Sequence, residues 1–136
     1  MSAEKYTKEA VRWLKQAKSD LAAASNSRDS DNHDWACFQS QQAAGKAIKS
    51  LWFFNGADPW GHSVLNLINS FPEGVPLDTY VEDAQLLDRL YIPTRYPNGL
   101  PELSPFEAFS RKNADAAIDA AGRIIDFVVK YVQIES

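Results

Sequence analysis

The segment Tyr91-Ile92-Pro93-Thr94-Arg95-Tyr96-Pro97 has the highest concentration of binding groups in the 136-residue chain. Arg95 is a permanent cation whose planar fork of donors matches the oxygens of phosphate. Tyr96 adds a ring that can stack and a hydroxyl that can donate, and the flanking prolines restrict the backbone that carries both. The simpler reading pairs Arg95 with a carboxylate of its own chain. A second group lies in Gln41-Gln42-Ala43-Ala44-Gly45-Lys46-Ala47-Ile48-Lys49. On a helix, Lys46 and Lys49 share a face, and Gly45 permits close approach of a backbone or a ligand. A glycine inside a helix costs about 1 kcal/mol relative to alanine, so a tight helix crossing is the simplest reason to find one there. His62, directly after Gly61, can reach a bound anion or merely cap the helix it opens. Arg95, Tyr96, Lys46, Lys49 and His62 are therefore the candidate phosphate-binding residues. Lys8, Arg12 and Lys15 fall at i, i+4 and i+7 within residues 1–18, which carry a local charge of +3 and leave −7 for the remainder. A solvated helix face accounts for them most simply.

Familiar catalytic templates do not fit. The chain has no G-x-x-x-x-G-K-[ST] phosphate loop, no G-x-G-x-x-G and no G-x-S-x-G elbow. His33 and His62 are the only histidines and Cys37 the only thiol, too few for a zinc site of ordinary composition. Cys37 stands among Trp35, Ala36 and Phe38, where a buried, inert thiol is expected. No metal, cofactor or catalytic residue is expected. The net charge of −4 gives no global field that would attract nucleic acid. The composition, 45% hydrophobic and 24% charged, fits one domain spanning residues 1–136. A lone cysteine, a charged N-terminus and no apolar run near the ~20 residues of a membrane span place the protein in the cytoplasm.

The elements that must position these residues read as helices. Tyr6, Ala10, Trp13, Leu14, Ala17, Leu21 and Ala24 mark a first helix over about residues 4–26, followed by a polar loop at 25–34. Phe38, Gln41, Ala44, Ala47, Ile48, Leu51 and Trp52 form the stripe of a second helix over about 34–55, with Asn55-Gly56 as its left-handed stop. A short third helix runs from His62 to Phe71 before Pro72, and Asp78 caps a fourth that carries Val81, Ala84, Leu87, Leu90 and Tyr91. Residues 92–103 contain three prolines and form a stiff loop. Ser104-Pro105-Phe106-Glu107 is a capping box with proline at the first helical position. The last helix reads as roughly 30 residues and about 45 Å, apolar on two faces. Five helices in an all-α antiparallel bundle result. Core packing takes most of Trp13, Trp35, Trp52 and Trp60, and any surplus suits a homodimer interface.

Taken in order, these segments resemble the HEPN domain, named for higher eukaryotes and prokaryotes nucleotide-binding. The resemblance rests on residues 13–21 of the first helix, 37–47 of the second, Gly61-His62-Ser63-Val64, and Tyr91 through Pro97, where Arg-Tyr-Pro is similar to the branch that includes the C-terminal domain of sacsin. Gly45 departs from it, since the pattern usually has Glu there. The resemblance implies an all-α bundle, commonly a homodimer with a cleft at its interface. It also implies one of three roles: a metal-independent ribonuclease using Arg-x(4–6)-His before the last helix, a nucleotide binder, or the partner of a nucleotidyltransferase in a toxin–antitoxin module.

The nuclease motif is missing where it matters. Tyr96, Pro97, Asn98, Gly99, Leu100 and Pro101 follow Arg95, and no histidine lies downstream of His62. Arg28-x(4)-His33 has the spacing but falls between the first two helices. Without an imidazole the group suited to acid–base work near neutral pH is lost. The expectation is a non-catalytic, homodimeric HEPN domain that binds a nucleotide of the ATP or GTP type, or another polyphosphate, and that acts alone or beside a nucleotidyltransferase. The alternatives are a ribonuclease toxin with a degenerate site acting on RNA, and a pure protein-interaction module.

Overall fold

A computed structural model of the chain describes residues 2–72 and 74–132. Its helices are α1 (Ala3–Asp29), α2 (His33–Phe54), α3 (Val64–Asn69), α4 (Val81–Asp88), α5 (Pro105–Ala108) and α6 (Arg111–Val129), and no strand occurs among the described residues. The most extensive packing is α1 on α2, followed by α2 on α6. On α1, Ala10, Leu14, Ala17 and Ala24 are fully buried, the stripe that its three- and four-residue spacing predicts. On α2, Ala36, Cys37, Ser40, Gln41, Ala43, Ala44, Ala47, Ile48, Ser50 and Leu51 are all buried, a broad enclosed face, while Phe38, Gln42, Lys46 and Lys49 on the other face stay partly exposed. Its small side chains allow that approach, and Ser50 Oγ donates to the Ala10 carbonyl at 2.5 Å across the α1–α2 contact.

Several boundaries differ from the sequence expectation. The polar stretch after the first helix shrinks to Ser30–Asn32, because α1 continues to Asp29 and the chain reverses through Asp31 at φ 62°. The third helix starts at Val64, with Ser63 as its N-cap accepting from Asn66 N, and it ends at Asn69. Asp78 opens a 3₁₀ turn, Asp78–Tyr80, ahead of α4 and does not cap it. The Asn55-Gly56 stop is as expected, with Gly56 at φ 76° and Ala57 N bonded to the Trp52 carbonyl.

The capping box at Ser104 and Glu107 is present, but it starts a helix of only 4 residues, not one of 30. Phe109 is extended at ψ 134°, and Ser110 opens a second capping box with Asn113 that restarts the chain as α6 over 19 residues. The second box supplies caps where one continuous helix would have had internal bonds, and it limits α6 to roughly 28 Å. Ala114, Ala117, Ala121, Ile124, Ile125 and Val128 of α6 then close the single buried cluster shared with α1 and α2.

Tryptophan burial is uneven. Trp13 and Trp52 are half-buried, and Trp52 Nε1 donates to the Leu67 carbonyl at 3.0 Å. Trp35 and Trp60 are 46% and 86% exposed, and of the four only Trp52 packs against the buried cluster. No helix of the described residues is long and apolar enough to cross a membrane.

Candidate functional site

The candidate residues divide between two neighbouring clefts. Lys46, Lys49 and His62 line one, of about 140 Å³, together with Trp13, Gln41, Gln42 and Gly45. Arg95 and Tyr96 line the other, of about 440 Å³, with Trp35, Phe38, Tyr91 and Ile92. A ladder of rings connects them. His62 stacks on Tyr91 at 5.7 Å and 19°, and Tyr91 stacks on Phe38 at 5.9 Å and 12°. Phe38 then meets Trp35 edge-on at 6.2 Å.

Arg95 follows α4 on a turn built by its own carbonyls. Its backbone N–H bonds to Ile92 O at 2.9 Å, and the buried Thr94 hydroxyl donates to Leu90 O and Tyr91 O. Gly99 lies against Pro93 so closely that a Cβ there would stand 3.1 Å from the Pro93 Cα, which braces the loop as its prolines suggest. The guanidinium, however, is not free. Its Nη2 donates to Asp34 Oδ2 at 2.6 Å, with side-chain exposures of 16% and 8%, and its Cζ lies 3.5 Å from the centre of the Trp35 ring. Of the two sequence readings, a fork open to an external phosphate and a pairing within the chain, the geometry has the second: a buried carboxylate and an indole face hold it, and its Nε is buried without a partner among the described residues. Tyr96 beside it is 57% exposed.

The lysine cleft is less satisfied. Lys46 Nζ pairs with Asp20 Oδ2 at 2.6 Å. Lys49 has no carboxylate partner among the described residues. Its Nζ sits 5.4 Å from the centre of the Trp13 ring, and its pKa is lowered from the ordinary lysine value by burial and then by the neighbouring charge of Lys46. Gly45 contributes to the floor of this cleft. A Cβ there would meet only Val64 Cγ2, at 4.0 Å, so no tight helix crossing demands the glycine. The face of α1 that carries Arg12 and Lys15 adjoins the same place, since Glu9, Arg12, Trp13, Lys15, Gln16 and Lys46 line a groove of about 470 Å³.

Asp88, which pattern reading missed, and Gln41, which it placed on the inward stripe of the second helix, hold the backbone around His62 in position. Asp88, the last residue of α4, accepts from Ser63 Oγ, Val64 N and Leu65 N at 2.8–3.0 Å and so caps α3 from another helix. Gln41 is buried and donates to the His62 carbonyl at 2.7 Å and to Asp88 at 3.3 Å. A carboxylate at a helix C-terminus opposes the helix dipole, and that misfit was the available signal that Asp88 has a distant partner. Asp34 gave no local signal, because an acid in the first turn of α2 is favourable there without Arg95.

Other chemistry is restrained. Burial, and then the Asp34 charge, push the Cys37 thiol up to about 12, so it is held as the unreactive protonated form. Arg28 and His33, the pair with nuclease spacing, stand at the α1–α2 turn. Arg28 contacts Asp29 and Asp115 at 3.1 and 3.2 Å, and His33 Nε2 lies 3.7 Å from Asp31. No group of three or more histidine, cysteine or acidic side chains that could hold a metal occurs among the described residues.

With this geometry in view, the chain can be compared with known proteins. No curated protein matches it. Three crystal structures resemble it over nearly their whole length. TT1696 from Thermus thermophilus is 42% identical, with TM-score 0.85, covering 90% of this chain and 97% of its own. ST0689, an archaeal HEPN homologue, is 35% identical, with TM-score 0.77 and coverages of 91% and 98%. The HEPN domain protein tm0613 from Thermotoga maritima is 32% identical, with TM-score 0.67 and coverages of 88% and 95%. Residues 10–132 match the HEPN domain as a family. The all-α bundle, the order of its helices and these relatives agree, and the chain belongs to the HEPN domain family.

Proposed function

We propose that the chain is a non-catalytic HEPN-domain protein that binds a nucleotide or polyphosphate, with the phosphates at Lys46, Lys49 and His62. One observation carries this reading: Lys49 is a partly desolvated ammonium with no carboxylate partner among the described residues, set in a cleft that Lys46 and His62 also line. Holding such a group uncompensated disfavours the folded state, and an anion entering the cleft would relieve it. Lys15 lies in the adjoining groove, where Arg12 is paired with Glu9 at 2.5 Å and Lys46 with Asp20 at 2.6 Å, so Lys49 and Lys15 are the cations there without a carboxylate partner among the described residues.

Arg95 and Tyr96 take a second role in this proposal. Displacing Asp34 from Arg95 would cost more than seating a phosphate at Lys49, because a buried carboxylate would lose its cation. The pair instead stiffens a face where Trp35, Ile92 and Tyr96 are 46%, 46% and 57% exposed. Exposed aromatics around a rigid arginine suit an interface, and we assign this face to a second copy of the chain. A separately encoded nucleotidyltransferase, in a toxin–antitoxin arrangement, is the other partner a co-purification would detect. The ribonuclease alternative has less support, since Arg95 faces Asp34 and His62 is separated from it by the rings of Tyr91 and Phe38.

Calorimetric titration of ATP and GTP into wild type, Lys49→Met and Arg95→Met tests the proposal. Binding in wild type and Arg95→Met, with loss of tenfold or more in Lys49→Met, is expected. Binding that depends on Arg95 and is indifferent to Lys49 refutes the assignment. RNA cleavage in EDTA that is abolished by Arg95→Met would establish the enzyme reading in its place.

A further inference from the structure

Trp60 is the most exposed large apolar side chain described, at 86%. It stands between two glycines in left-handed conformations, Gly56 at φ 76° and Gly61 at φ 95°, and follows Asp58-Pro59. The strap is fixed at both ends. Ala57 N bonds to the Trp52 carbonyl on one side, and Gln41 bonds to the His62 carbonyl on the other. Between these anchors, no backbone–backbone hydrogen bond among the described residues involves Pro59, Trp60 or Gly61. The Asp58 carboxylate accepts from the Tyr6 hydroxyl at 3.2 Å, so the piece without such bonds is Pro59–Gly61, and with Gly61 as its pivot it can swing its one large side chain at little cost.

The location of that side chain gives the strap a use. Trp60 lines a cavity of about 170 Å³ with Trp52, His62, Asn66 and Ser70, and His62 also lines the cleft that holds Lys49. The two spaces therefore share His62 as a wall. Trp13 is already engaged with the Lys49 ammonium, so it is a poor second platform for a base. The side chains of Asn66 and Ser70 make no hydrogen bond among the described residues and can read the polar edge of a ring.

Resting on the phosphate site proposed above, we infer that Trp60 is the base-binding element of that site, a hinged indole that closes on the aromatic base of a nucleotide whose phosphates lie at Lys49. The ligand class is thus a nucleotide, not a bare polyphosphate. Stacking of a base on an aromatic side chain is worth roughly ten- to a hundredfold in affinity.

The experiment compares ATP with inorganic triphosphate by calorimetry on wild type, Trp60→Ala and Trp60→Phe, with circular dichroism to confirm that each variant is folded. ATP is expected to bind wild type at least tenfold more tightly than triphosphate. Trp60→Ala is expected to bring ATP down to the triphosphate level while triphosphate binding is unchanged, and Trp60→Phe to retain most of the difference. Equal affinities for the two ligands in wild type, or full ATP affinity in Trp60→Ala, overturn the base subsite and leave the phosphate site standing. The base subsite is likewise overturned if Trp60→Ala changes the oligomeric state while ATP affinity is kept, which would make Trp60 a contact between copies. Failure of both ligands to bind wild type overturns the phosphate site and the base subsite together.

Discussion

Replacing Arg95 with methionine separates a structural arginine from a ligand-binding one. The substitution keeps an unbranched stem and removes the guanidinium that lies over Trp35 and pairs with Asp34. Breaking a well-buried ion pair from one side costs about 3–5 kcal/mol, because the remaining charge is left without compensation. Asp34 is 8% exposed, which favours the upper part of that range. It also lies in the first turn of α2, where the helix dipole returns about 0.3–1 kcal/mol to an anion. About 4 kcal/mol of lost stability follows, which for a chain of this size lowers Tm by roughly 14 °C. The mirror substitution, Asp34→Asn, should cost less, about 1–2 kcal/mol, since the amide oxygen still accepts from Arg95 and the long guanidinium stem can turn toward water. Urea unfolding followed by circular dichroism at one fixed protein concentration measures both, and the double variant gives their coupling, expected at about 1–3 kcal/mol. Stability of Arg95→Met within about 0.5 kcal/mol of wild type would refute the reasoning, the more so if nucleotide binding vanished with it.

Three further outcomes follow from the same geometry. Gly45→Ala meets only Val64 at 4.0 Å and removes a helix-interior glycine, so urea unfolding should show a gain of about 0.5–1 kcal/mol. Because Lys49 titrates below the ordinary 10.5, phosphate affinity should fall as pH rises through that lowered value, before an unperturbed lysine would lose its proton; Lys46→Met, which removes the secondary cause, should move the fall to higher pH in calorimetric titrations. Cys37, pushed up to about 12, should resist iodoacetamide at pH 8 in the folded protein and react readily in urea, as mass spectrometry of the adduct would show.

What the sequence disclosed of this molecule was its local and periodic content. Ala10, Leu14 and Ala17 repeat with the helical period and are buried. Asn55-Gly56 and Ser104-Pro105-Phe106-Glu107 are stop and start signals whose chemistry is complete within four residues, and both stand where expected. Misreadings arose where a local signal had a nearby competitor. Alternation of alanine and isoleucine after residue 105 suggested one long helix, but Ser110 and Asn113 make a second capping box that interrupts it. The site was legible as residue types and not as partnerships. Lys46 and Lys49 were placed on one face and do share a cleft. Asp34 lies 61 positions from Arg95 in sequence and Asp88 lies 25 from Ser63, and only tertiary packing brings either pair together.

A crystal structure of the protein grown with a non-hydrolysable ATP analogue tests the central claim most directly. The account predicts phosphate oxygens about 3 Å from the Lys49 ammonium, with the Arg95–Asp34 pair intact. Phosphate seated on Arg95, with Asp34 displaced and the Lys49 cleft empty, would contradict it.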